Sequence, residues 1–300
     1  MEMEYHNPVL LNESVDGLNI KPDGVYVDVT FGGGGHSAEI LSRLGEKGKL
    51  FGFDQDPDAL ANKLDDSRFT LIPENFRFIK RFLRFHGIKQ VDGILGDFGV
   101  SSHQFNVAER GFSTRFDSKL DMRMNQKSVL SAYEVVNDYE QDQLKKLFYE
   151  YADLRIAPKL AAEIVKAREE APIDSSERLK EVLKPFLFKE KEHKILAQIY
   201  QAIRIEVNQE LDVLKEFLIQ TPDLLKKGGR LSLISYHSLE DRLVKRYIRS
   251  GLFEGEPEKD FFGNISVPLK KVGGLIVPSS EEIALNNRAR SAKLRIAKRL

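Results

Sequence analysis

The hydrophobic pattern changes period twice along the chain and divides it into three stretches. Residues 25–29 are β-branched or aromatic apart from Asp28, as a strand buried on both faces should be. Four glycines follow, Gly32 to Gly35, and then a helical spacing in which Ile40, Leu41 and Leu44 face inward and Gly45 ends the helix. Residues 49–54, KLFGFD, read as a second strand ending on Asp54. Residues 69–76, FTLIPENF, read as a third ending at Phe76, and residues 91–102, VDGILGDFGVSS, as a fourth ending at Asp97.

Beyond Gln104 the strand signal stops for about a hundred residues. Leu144, Leu147, Phe148 and Tyr151 fall at i, i+3, i+4 and i+7, and Leu160, Ile164 and Ala167 continue a helical stripe. Asp138 with Gln141 reads as a capping-box start, and residues 171–174 and 189–193 as connectors. The α/β pattern then returns. A helix runs from Glu210, Lys226 to Gly229 reads as a stop, and residues 230–235, RLSLIS, form a strand. A last helix lies in YHSLEDRLVKRYI, with Ser238 and Asp241 able to cap its start. No internal repeat or low-complexity tract is present. The fold class is therefore α/β: a discontinuous doubly wound domain of residues 1–105 and 206–300, interrupted by a helical insert of residues 106–205.

Open parallel sheets bind ligands beyond the carboxyl ends of their strands, so Asp28, Asp54, Phe76 and Asp97 are expected to converge on one crevice. The glycine run removes every Cβ where the chain must turn, and the helix beginning near His36 directs its unpaired amides into that turn. Asp54, nineteen residues after Gly35, stands where such folds place an acid on ribose hydroxyls. The dinucleotide fingerprint G-x-G-x-x-G fails at its third glycine, where Ser37 stands. Pyrophosphate binding loses support, and S-adenosylmethionine, held by a glycine loop and a strand-end acid, becomes the favoured ligand. Phe76 is open to two fates, stacking on a purine or packing in the core. Asp97 is open to two as well, a ligand contact or a turn cap.

Composition narrows the chemistry. Hydrophobic residues make up 41% and charged residues 31%, with no apolar run near the ~20 residues that span a bilayer. The first residues do not resemble a secretory signal, so a cytoplasmic location is expected. Forty-six basic and 46 acidic side chains cancel, so any RNA contact must be local. Residues 288–300, RARSAKLRIAKRL, carry six Lys or Arg and no acid; they read equally as a phosphate contact or as a charged, protected edge strand. There are no cysteines, which removes thiolate metal sites, iron–sulfur clusters and thiol nucleophiles. The six histidines form no i, i+4 pair, and no catalytic metal is expected.

The motifs DVTFGGGGHS, GDFGVSS, ERGFS, LDMRM, QAIRIEVNQEL, GGRLSLISYHSLEDRLVK and NNRARSAKLR occur in that order from residue 28 to residue 295. Together they resemble the ribosomal RNA small subunit methyltransferase H family. The resemblance implies a class I (Rossmann-like) methyltransferase sheet with an inserted all-helical domain that recognises substrate. It implies transfer of a methyl group from S-adenosylmethionine to the exocyclic N4 of a cytidine in the decoding region of small-subunit (16S) ribosomal RNA. The partner would be that RNA within the assembled small subunit, with no DNA and no membrane involved.

Carried over by position, the resemblance places Gly34, Gly35 and His36 on the cofactor, Asp54 on its ribose and Phe76 near its adenine, with Asp97 and Gln104 completing the site. Two departures stand out: Phe98 where the family has leucine, and Asp117-Ser118-Lys119 where it has Asp-Gly-Pro. Residues 97–100, DFGV, replace the Asn/Asp-Pro-Pro-aromatic loop of many amino-methyltransferases, so no catalytic residue is assigned by analogy. Asp97 is the candidate for polarising the amine. A small-molecule N- or O-methyltransferase, and a non-catalytic ribosome assembly factor, are the competing readings.

Overall fold

The computed structural model describes residues 8–187, 191–259, 261–263 and 265–300; part of the expected connector at 189–193 lies outside them. The chain forms two compact units, Met1–Gly99 with Leu211–Leu300, and Val100–Glu210. The first unit comprises α1 (Leu11–Leu18), β1 (Val25–Asp28), α2 (Gly35–Arg43), β2 (Lys49–Phe53), β3 (Phe69–Ile72), α3 (Ile79–Phe85) and β4 (Val91–Asp97) before the chain leaves it. The second contains α4 (Ser102–Asn106), α5 (Ala132–Asp138), α6 (Gln141–Ala152), α7 (Ala157–Glu170), α8 (Ser176–Leu183) and α9 (Glu192–Asn208). The return passes through α10 (Glu210–Leu224), β5 (Leu225–Ser235), α11 (Ser238–Ser250), β6 (Leu269–Ile276), α12 (Ser280–Leu285) and β7 (Lys293–Arg299).

The seven strands of the described residues form one sheet in the order β3-β2-β1-β4-β5-β7-β6. β1 to β5 are parallel, and β7 runs antiparallel between β5 and β6. Successive residues point to opposite faces, and the two faces bury different partners. Val27, Phe51, Ile94 and Leu233 pack with Ile79, Leu83, Phe217 and Val244 of α3, α10 and α11. Tyr26, Leu50 and Leu95 pack with Val15, Leu18, Ile40 and Leu41 of α1 and α2. Both faces are covered, which is why the parallel strands read as nearly unbroken apolar runs. The strand order reverses between β1 and β4, so the carboxyl ends of those two strands open the crevice of the fold.

Several local expectations are corrected. α2 stops at Arg43, because Leu44 is already extended and the Gly45 amide donates to the Pro22 carbonyl. β3 stops at Ile72 ahead of Pro73, and Phe76 instead opens a 3₁₀ turn capped by the Asn75 side chain. Residues 226–229 do not stop the chain before a strand. β5 begins at Leu225, and its pairing with β4 skips from Val91–Leu225 to Gly93–Arg230, a bulge. The basic run is no edge strand either, since β7 is paired on both sides and β6 forms the edge.

The helical unit has its own core, with Leu144, Leu147, Phe148, Leu160, Ile164 and Ile199 fully or almost fully buried. α6 is capped by Glu140 rather than Asp138, which closes α5; the Glu140 amide donates to Gln143 Oε1 at 2.8 Å. The unit begins at Val100, earlier than expected, because Val100 and Phe105 pack against its core.

Candidate active site

The turn after β1 is held from three sides. The Val29 amide donates to the Leu95 carbonyl, the Phe31 amide to the Phe53 carbonyl, and the Gly34 amide back to Phe31. Gly34 sits at φ 79°, a left-handed conformation that costs a side chain dearly, and a Cβ on Gly35 would lie 2.2 Å from Pro8 Cγ. At Gly33 a Cβ would meet nothing within 4 Å, so the backbone there is open to a ligand. α2 starts immediately beyond, with its first-turn amides unpaired by the helix itself.

Asp28 does not line the crevice as expected; it is fully buried beneath the turn. Its Oδ2 accepts from the Ser37 hydroxyl at 2.7 Å and its Oδ1 from the Thr30 amide at 3.1 Å. Burial pushes its carboxyl upward. Ser37, the residue that breaks the dinucleotide fingerprint, is thus the link between β1 and α2.

Asp54 behaves differently. Its Oδ2 accepts from the Gly32 amide and its Oδ1 from the Asp56 amide, both at 2.8 Å. A carboxylate offers about four lone-pair positions, so each oxygen keeps one for a hydroxyl donor. Burial raises this carboxyl to about 6.

Asp97 terminates β4, and its amide donates to Thr30 Oγ1 at 2.6 Å. The Tyr236 hydroxyl donates to Asp97 Oδ1 at 2.8 Å. His36, 6% exposed, places Nε2 3.1 Å from the Val9 carbonyl. A carbonyl only accepts, so Nε2 carries the proton, and Nδ1 faces Asp97 Oδ2 at 3.9 Å. Burial lifts Asp97 to about 6 despite the His36 and Tyr236 contacts that favour its charge. The Tyr236 hydroxyl is itself pushed well up by burial and by Asp97, so it stays protonated as a donor.

Tyr236 is the residue missed in the sequence. The strand-end rule that selected Asp54 and Asp97 would have selected it, since it follows β5 directly. The start of α11 is capped by His237 and Glu240, not by Ser238 and Asp241. Glu240 accepts from the Tyr236 amide at 3.0 Å, which fixes the tyrosine behind Asp97. Asp241 instead makes a two-pronged ion pair with Arg295, at 2.6 and 3.1 Å.

Phe76 belongs to an aromatic cluster, 5.9 Å from Phe98 and edge-on to Phe217 at 5.4 Å. It is partly exposed. Gln104 falls in the helical unit, where it is buried and closes a capping box, its Oε1 accepting from the Ser101 amide at 3.0 Å.

Three of the sequence motifs meet in that unit. The Met122 amide donates to the Arg110 carbonyl at 3.0 Å, and Arg110 Nη2 donates to the Arg123 carbonyl at 2.9 Å. Asn208 accepts from the Met124 amide and donates to the Met122 carbonyl, each at 2.8 Å. Met122 is 1% exposed and Met124 packs on the same core, so both are packing residues. Asn208→Ala is expected to destabilise the helical unit by about 1–3 kcal/mol, through the two backbone groups it strands. Chemical denaturation would measure this, and cofactor affinity in native conditions should be unchanged.

A mainly parallel sheet whose reversal point carries a glycine turn, a strand-end acid and a second, partly buried carboxylate has the architecture of a Rossmann-like methyltransferase. The Asp54 and Asp97 carboxylates, held by the Gly32 and Asp56 amides and by the Tyr236 hydroxyl, suit a ligand bearing hydroxyl donors and positive charge. The model of the MraW methylase family matches residues 3–300, and the chain belongs to that family. Its cofactor is S-adenosylmethionine. Proteins named ribosomal RNA small subunit methyltransferase H are similar over nearly the whole chain. That of Christiangramia forsetii is 77% identical over 99% of both chains, and that of Flavobacterium johnsoniae 70% over the same shares. That of Bacteroides thetaiotaomicron is 56% identical, over 99% of this chain and 98% of its own. Among the described residues, no helix is long and apolar enough to cross a membrane.

Proposed function

We propose that the chain methylates the exocyclic N4 of a cytidine in the decoding region of small-subunit ribosomal RNA, acting in the cytoplasm on the assembled subunit. The observation that carries this reading is the near full-length identity to proteins named for methylation of that RNA. S-adenosylmethionine supplies an electrophilic methyl on sulfur. The backbone of Gly34 and Gly35 with His36 holds its amino-acid part, Asp54 accepts its ribose hydroxyls, and Phe76 flanks its adenine. Asp97 completes the set. The helical unit recognises the RNA.

Cytosine N4 is a weak nucleophile because its lone pair is delocalised into the ring. Orientation and an acceptor for its N–H are what the protein must add. Asp97 has the acceptor: the Tyr236 hydroxyl holds Oδ1, and among the described residues Oδ2 faces His36 Nδ1 at 3.9 Å. The absence of cysteine speaks against the covalent route to C5, which uses a thiolate. Purified protein, labelled cofactor and small subunits from cells lacking the enzyme should yield N4-methylcytidine after digestion. Label in 5-methylcytidine, or in ribose alone, would refute the reading.

A further inference from the structure

At the end of the sheet opposite the cofactor crevice lies a hollow of about 610 Å³, lined by Lys80, Arg84, Lys89, Gln90, Asp223 and Arg299. It sits at the amino ends of β4 and β5, because Arg299 Nη1 donates to the carbonyl of Leu225, where β5 begins. β4 is seven residues long, which separates the hollow from Asp97 by ~20 Å.

The charge balance of this hollow differs from that of the protein. The chain as a whole is neutral, with 46 charges of each sign. The hollow has four cations against one acid. Asp223 is taken up by Lys80 at 2.6 Å. Its carboxyl is held below the usual range by Lys80 first, with Arg299 and Arg84 adding to the effect. Arg84 and Lys89 are exposed and have no carboxylate partner among the described residues. The adjoining segment, residues 77–90, carries five Lys or Arg and no acid. Phe85, next to Arg84, is 84% exposed.

Unpaired cations around an open, shallow site are poorly suited to enclose a small anion, but they suit an extended string of phosphates. An exposed ring beside them adds a stacking surface that phosphate alone would not require. We propose that this hollow is a second contact for the RNA substrate, gripping phosphodiester backbone remote from the methylated base. The proposal rests on the RNA-methylating function given above and adds to it where the RNA is held.

The test is the variant Arg84→Glu/Lys89→Glu, with Arg84→Gln/Lys89→Gln as its neutral counterpart, measured for binding to unmethylated small subunits across a salt series. If each residue meets one phosphate, the neutral variant should bind roughly 25-fold more weakly at 0.1 M salt, and its log–log salt slope should shrink by about 1.4. The charge reversal should bind more weakly still. Thermal melting and affinity for S-adenosylhomocysteine should match wild type in both variants, since neither residue touches the crevice. Subunit affinity and salt slope equal to wild type would overturn the proposal. So would tighter binding of the wild type to anionic vesicles than to subunits. Failure of the wild type to methylate subunits would instead remove the proposed function, so the two failures are distinguishable.

Discussion

Asp97→Asn is expected to slow methyl transfer at saturating cofactor by about 100-fold or more, the lower range for loss of a positioned proton acceptor. Asparagine keeps a carbonyl for the Tyr236 hydroxyl, which now reaches Oδ1 at 2.8 Å, so the shape of the corner survives. The charge does not. Nitrogen that accepts a methyl group becomes acidic and must shed a proton, and an amide cannot take it. Burial holds Asp97 near 6, close enough to neutrality for it to be ionised in the cell yet basic enough to accept a proton. In wild type the single-turnover rate should therefore fall as pH drops through about 6, where the acceptor becomes protonated. If Asp97 only holds cofactor, the variant would show weaker binding and a normal rate once saturated; single-turnover kinetics at high cofactor separates the two.

Asp54→Ala should weaken S-adenosylhomocysteine binding by about 10- to 150-fold, the equivalent of ~1.5–3 kcal/mol for hydrogen bonds to a charged group. Loss of its bonds to the Gly32 and Asp56 amides loosens the turn as well. The pH dependence follows from the raised carboxyl. In the empty protein, a folded value near 6 against 3.8 unfolded means the folded state holds the proton more tightly, so this group's contribution to stability falls as pH rises through that window. Hydroxyl donors favour the ionised form, so affinity should be full above about 6 and decline below it. Calorimetry between pH 5 and 8 would record that decline in wild type. In Asp54→Ala the part of it due to this group should vanish, and unchanged affinity in the variant would remove Asp54 from the site.

Much of the crevice was legible in the sequence because its parts are local. A run of apolar residues, a glycine turn and a strand-end acid lie within 30 residues, and each follows from short-range geometry. Asp54 and Asp97 stand out in this way as acids at strand ends. Caps were read less well: Asp138 and Ser238 have the right chemistry for the role, but Glu140 and His237 occupy it. Cap chemistry is shared by neighbouring polar residues, and helix packing decides which of them falls at the first turn.

By itself, then, the sequence determined the alternating elements, the place and character of the glycine turn, and the exclusion of thiol chemistry. Those depend on residues close in the chain or on composition alone. Only the tertiary structure decided that Tyr236 reaches Asp97 across 139 residues, that Asn208 ties Met122 and Met124 in place, and that Ser37 serves buried Asp28. It alone turned the basic run of residues 293–299 from a possible edge into an interior strand, with Arg295 committed to Asp241. Strand pairing and long-range hydrogen bonds are settled by competition among all the partners that the packed core brings within reach. No window of neighbouring residues records the outcome of that competition.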